Sequence, residues 1–149
     1  MIPAPIRYSP DLEQVQPDEA ETIAALNETF DDILDTTAAD YGHAVRAVHA
    51  KGHGIIEATL TVEQRLPPEL AQGLFAMPGE HKVWMRLSTN PGDILDDAIS
   101  VPRGLALKVL DVEGDRLPGA EGRTQDFIMV NGTTFQAPDA KTFGRNLQL

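Results

Sequence analysis

The segment Val45-Arg46-Ala47-Val48-His49-Ala50-Lys51-Gly52-His53-Gly54 sets a guanidinium, two imidazoles and an ammonium group in one short, partly apolar stretch. An imidazole titrates close enough to neutrality to take up and return a proton, which is the work of a general acid–base. A guanidinium grips carboxylate or phosphate through a planar fork of donors. The chain holds four histidines, His43, His49, His53 and His81. His43, His49 and His53 share parity in an extended chain, so a common metal ion is one reading. Gly42, Gly52 and Gly54 interrupt regular strand geometry, and no carboxylate stands at a ligand spacing, so structural or surface histidines are the other. Further along, Arg86 and Ser88 share parity as well. A buried arginine needs an anionic partner, because an unpaired buried charge is costly. That face is therefore either a pocket for an anionic ligand with an imidazole over it, or simply the solvent face. No glycine-rich phosphate loop, nucleophile elbow or HExxH helix is present.

The elements that must position these residues follow from periodicity. Residues 1–16 carry Pro3, Pro5 and Pro10 with little pattern and read as an extended arm. Residues 17–41 read as a docking helix. Pro17 sets its start, and Asp18, Glu19 and Glu21 suit the positive end of the helix dipole. Ile23, Leu26, Phe30, Ile33 and Leu34 form its apolar stripe, with Asp31, Asp32 and Asp35 outside it. From residue 43 the period changes to two. Ile56, Ala58, Leu60 and Val62 take one face of a first strand. A short helix over Glu69–Phe75 and a second strand over His81–Thr89 follow, the latter alternating Val83, Met85 and Leu87 with Lys82, Trp84, Arg86 and Ser88. A third strand spans about Gly104–Val112 and a fourth Asp126–Val130, and a second helix begins at Ala137. Strands joined by turns and loops, with no crossover helices, predict an α+β fold with an antiparallel sheet or part of a β-barrel. Residues 43–149 would form that part. Four strands leave two unpaired edges, so the chain reads as truncated, with a homo-oligomer or partner covering them.

Composition narrows the function classes. The 149 residues carry a formal net charge of −11, which repels phosphate backbones and anionic lipid and argues against nucleic-acid and membrane partners. The absence of cysteine excludes disulfides, thiolate zinc sites, iron–sulfur clusters and thiolate-ligated haem. The amino terminus lacks the apolar run of a signal peptide and no segment is long enough to span a bilayer, so a cytoplasmic protein is expected.

Four motifs then stand in order along the chain. Arg46-x-Val48-His49-Ala50-Lys51-Gly52 resembles the distal-histidine segment of haem catalases. Met85-Arg86-Leu87-Ser88-Thr89 resembles their Arg-Phe-Ser-Thr segment, and Pro102-Arg103-Gly104-Leu105-Ala106-Leu107-Lys108 their Pro-Arg-Gly-Phe-Ala-x-Lys segment. Gln125–Asn131 followed by Phe135 resembles the strand that ends near a haem-edge phenylalanine. The ordered set is similar to the smaller bacterial catalase-related haem proteins and covers residues 45 to about 145.

That resemblance implies a haem b cofactor and a peroxide substrate, hydrogen peroxide or an organic hydroperoxide, with half of a catalase-like barrel as the fold. It implies that His49 is the distal acid–base, that Ser88 orients its ring, and that Arg46 and Arg86 pair with the haem propionates. Val48 would narrow the pocket, Phe127 and Phe135 would line it, and Gly104 would allow close packing. Where catalases keep a distal asparagine this chain has Gly122-Arg123-Thr124. The departure points to a peroxidase-type use of peroxides. The family's proximal tyrosine lies on a later helix, so the axial ligand is expected outside this chain, and Tyr8 and Tyr41 are not assigned to it.

Overall fold

Pro17 and the carboxylates after it do open a helix, α1, over Glu19–Tyr41, and Gly42 ends it in the left-handed conformation. These are features of a computed structural model that describes residues 9–12, 14–114, 116, 120 and 122–147. The expected arm lies partly outside the described residues, as do Tyr8 and the last two residues of the chain. Its described portion contains a 3-10 turn at Pro10–Leu12 where extended chain was expected. Leu26 and Thr37 are the buried residues of α1, Phe30, Ile33 and Leu34 are half-buried, and Asp31, Asp32 and Asp35 are exposed. Ile23 departs from the expected stripe, at 45% exposure. Asp18 makes no capping hydrogen bond with its side chain; its carboxylate pairs with Lys141 at 2.6 Å.

Four strands follow: β1 (Gly52–Val62), β2 (Gly79–Thr89), β3 (Arg103–Val109) and β4 (Gln125–Val130). They form an antiparallel sheet in the order β1-β2-β3-β4, each strand beside its neighbour in sequence. Among the described residues the sheet is not closed. A second helix, α2, spans Ala140–Leu147. The fold class is therefore α+β. No helix among the described residues is long and apolar enough to cross a membrane.

Three boundaries differ from the expected ones, each for a local reason. The helix expected over Glu69–Phe75 is a turn at Pro67 followed by a 3-10 turn at Gly73–Phe75, because Gln72 between them is extended. The third strand ends at Val109, and Asp111 takes a left-handed conformation that no regular strand continues through. The second helix starts at Ala140, where the Asp139 carboxylate accepts the Thr142 amide at 2.7 Å and caps the first turn.

The chain divides into two compact units. The first gathers Ile55–Arg86 and Leu105–Ile128. Its core is Val83, Val109 and Val112, surrounded by Leu60, Leu74, Met85, Leu107 and Phe127. Alternation along the strands places Val83, Met85, Leu107 and Val109 in this core, as period-two patterning requires. The intervening residues turn outward: Ile55, Trp84 and Ile128 are exposed. Together with Arg86, Ala106 and Lys108 they line a shallow depression of about 250 Å³. Lys82–Glu57 and Lys108–Asp126 ion pairs tie neighbouring strands at 3.0 and 2.8 Å.

The second unit gathers Gln14–Gly54, Leu87–Gly104 and the chain from Met129 onward. Here α1 packs against α2. Phe143 of α2 stands 6.4 Å from Phe30 of α1 and 5.5 Å from Phe135, ring centre to ring centre.

Candidate functional site

Within the second unit, the segment before β1 is held against the end of β2 by its backbone. The His49 amide donates to the Asn90 carbonyl at 2.7 Å and the Ala50 amide to the Pro91 carbonyl at 3.3 Å. The Thr89 amide returns a bond to the Lys51 carbonyl at 2.9 Å. His49 itself has φ 54°, in the left-handed region. For a residue with a Cβ this conformation costs on the order of 1–3 kcal/mol and persists only where the surroundings over-determine it. It turns the imidazole out of the alternation that β1 later follows and towards β2.

There the ring meets Ser88. His49 Nδ1 lies 2.9 Å from Ser88 Oγ, and Ser88 is 5% exposed. The solvent-face reading of Ser88 is thereby excluded. The ring's other side is set by Gly104. A Cβ at that position would stand 2.6 Å from His49 Cε1, 2.7 Å from Nδ1 and 2.8 Å from Ser88 Oγ. Only a residue without a side chain leaves room for the pair. The result is an imidazole whose plane and Nδ1 are fixed by a buried hydroxyl and a bare stretch of β3 backbone. Such a ring is held in one orientation relative to the ends of β2 and β3.

The remaining residues singled out from the sequence are distributed as follows. Arg46 is exposed and Val48 half-buried, both flanking His49 in the second unit. Phe135 is 66% exposed beside Phe143. Arg86 and Phe127 belong to the first unit, where Arg86 is half-buried in the outer depression. Phe127 packs into the core 6.0 Å from Phe75. The structure thus brings His49, Ser88 and Gly104 together directly.

The three-histidine metal reading finds no support: among the described residues no group of three or more His, Asp or Glu side chains could hold a metal ion. His43 stacks edge-on against Tyr41 with ring centres 6.4 Å apart. Tyr41 accepts the Ile94 amide at 3.0 Å, a structural use of its hydroxyl.

His53 enters a second polar cluster that sequence reasoning did not assemble. Its Nε2 lies 2.6 Å from the hydroxyl of Thr89, which Arg103 Nη1 also reaches at 2.6 Å. Arg103 Nη2 donates to the carbonyls of Asp97 and Ile99 at 3.2 and 3.4 Å. Lys51 pairs with the Asp97 carboxylate at 2.7 Å and donates to the Leu95 carbonyl at 2.5 Å. The hydrogen bond and charge of Lys51 hold the Asp97 carboxyl below its ordinary range. The available signal was parity: Thr89 follows Ser88 and therefore points to the opposite side of β2.

No family model, curated protein or solved structure matches this chain.

Proposed function

We propose that this chain carries the distal half of a haem-dependent oxidoreductase acting on hydrogen peroxide or an organic hydroperoxide. The observation that supports it most is the His49–Ser88–Gly104 constellation. Three of the four ordered motifs that resemble catalases each contribute one member of it, and the three members meet within hydrogen-bond or contact distance. The residues present fit the distal side of a haem b group: a fixed imidazole, a serine that orients it, and a flanking Val48 and Arg46. The axial ligand is not assigned to any residue described here. A bound haem would supply the redox chemistry for reducing the peroxide.

The chain's own residues account for the proton. With Ser88 at Nδ1, the His49 imidazole would be the group that takes a proton from the near peroxide oxygen and returns it to the far one. By the resemblance alone, Arg46 and Arg86 would each offer a guanidinium for a charge-assisted contact with a haem propionate. Gly122-Arg123-Thr124, in place of a distal asparagine, favours a peroxidase-type reaction. In the full-length protein His49→Ala should lower peroxide turnover by about 10²–10⁴-fold while leaving haem content intact. Unchanged turnover in a haem-loaded variant would contradict the assignment.

One observation favours a second reading, a catalase-like chain that binds no haem and assembles with copies of itself. Ile55 on edge strand β1 and Ile128 on edge strand β4 are 70% and 74% exposed, and open strand edges invite pairing. This reading requires concentration-dependent assembly with no haem absorbance. A haem-loaded monomer on size-exclusion chromatography is incompatible with it.

A further inference from the structure

We infer that Arg103, acting through Thr89, is a positioning residue for the His49–Ser88 pair. The inference rests on the reading of His49 as the acting imidazole only for its catalytic consequence; the geometry stands without it. Ser88 and Thr89 are consecutive on β2 and therefore point to opposite sides of the strand. Ser88 holds the imidazole, and Thr89, 1% exposed, is among the most buried side chains described.

A buried hydroxyl needs partners, and Thr89 finds them in Arg103 Nη1 and His53 Nε2, each at 2.6 Å. The cation is permanently a donor, so the Thr89 oxygen accepts from it in every protonation state of His53. Nη1 also lies 3.3 Å from His53 Nε2, and Nη2 donates to the Asp97 and Ile99 carbonyls. The arginine therefore locks the last residue of β2 to the first of β3 and to the segment between them. Its backbone is pinned as well: its amide donates to Asn131 Oδ1 at 2.7 Å and its carbonyl accepts the Asn131 amide at 3.1 Å.

The residue after Arg103 is Gly104, the wall against which the imidazole lies. The clearance there is small, since a single added carbon would come within 2.6–2.8 Å of the ring and the serine oxygen. A shift of a few tenths of an ångström in β3 relative to β2 changes the His49–Ser88 distance or crowds the ring. Arg103 and Thr89 fix that relation from the side of β2 away from the imidazole. A lysine cannot reproduce it, because one ammonium lacks the planar fork that reaches a hydroxyl and two carbonyls at once.

The test is long-range ¹H–¹⁵N spectroscopy of the histidine rings in the haem-free full chain, titrated with pH. Ser88→Ala defines the signature of a lost Nδ1 contact in the His49 resonances and titration midpoint. Arg103→Met and Thr89→Val should both move the His49 resonances and midpoint in that same direction. Arg103→Lys should fall between Arg103→Met and the unaltered protein. Lys141→Ala, a surface change, should leave His49 where it is. If Arg103→Met does not fold, Thr89→Val, which nearly preserves shape, carries the test alone. Unaltered His49 resonances and midpoint in folded Thr89→Val, or in folded Arg103→Met, would overturn the inference. The readout needs neither haem nor turnover, so its failure and a failure of the peroxide reading are separable.

Discussion

At His49 three local demands coincide: a left-handed backbone, a buried serine at Nδ1 and a glycine against the ring. Each is unfavourable or restrictive alone, and a side chain kept under such constraints is the pattern expected where a ring must hold one orientation. Gly104 gives the sharpest single-residue prediction. In Gly104→Ala the new methyl carbon meets the ring and the serine oxygen at distances no relaxed contact shows. Overpacking of this kind should destabilise the fold by about 1–3 kcal/mol and displace the imidazole. Urea denaturation reads the first effect and the His49 ring resonances the second. A variant as stable as the parent, with unmoved resonances, would mean that β3 is not the wall described.

The segment joining β2 to β3 is held to the start of β1 by Lys51, through the Asp97 carboxylate and the Leu95 carbonyl. Asp97 titrates below its ordinary range when folded, chiefly because of Lys51. A carboxyl depressed on folding contributes stability above its unfolded value, and loses it as pH falls through the folded one. Lys51→Met should therefore lower Tm at neutral pH, and the gap to the unaltered protein should narrow as pH drops below about 4. Asp97 is exposed, so the effect should be small and should fade with salt. A gap that persists unchanged into acid would place the contribution of Lys51 in its Leu95 contact instead. The strands, α1 and the core positions Leu60, Val83 and Met85 were legible from apolar spacing, whereas Ile56 and Leu87, expected on the same faces, are exposed. Ser88 against His49 and the room at Gly104 were reached through resemblance, since no periodicity joins residues so distant in sequence. The Thr89–Arg103–His53 cluster was not legible. It arises only when β2 and β3 pair, which brings together side chains that sequence spacing treats as unrelated. Boundaries failed where one backbone angle or one capping carboxylate decided them, as at Asp111 and Asp139.

For the chain taken whole, acidity and composition limit its partners more than they identify them. A net charge of −11 disfavours polyanionic surfaces while leaving local cations such as Arg46 to meet small anionic groups. The α+β architecture is shared by many unrelated activities, so function has to be argued from the site. The most direct test of the haem reading is an absorbance titration of the purified chain with haemin through the Soret region, with imidazole added to supply the axial ligand that the chain is not assigned. A Soret band distinct from that of haemin with imidazole alone, which saturates with added haem and which Arg46→Ala and Arg86→Ala each weaken, is the predicted result. A spectrum that remains that of haemin with imidazole alone at every ratio, in protein shown to be folded, would contradict it.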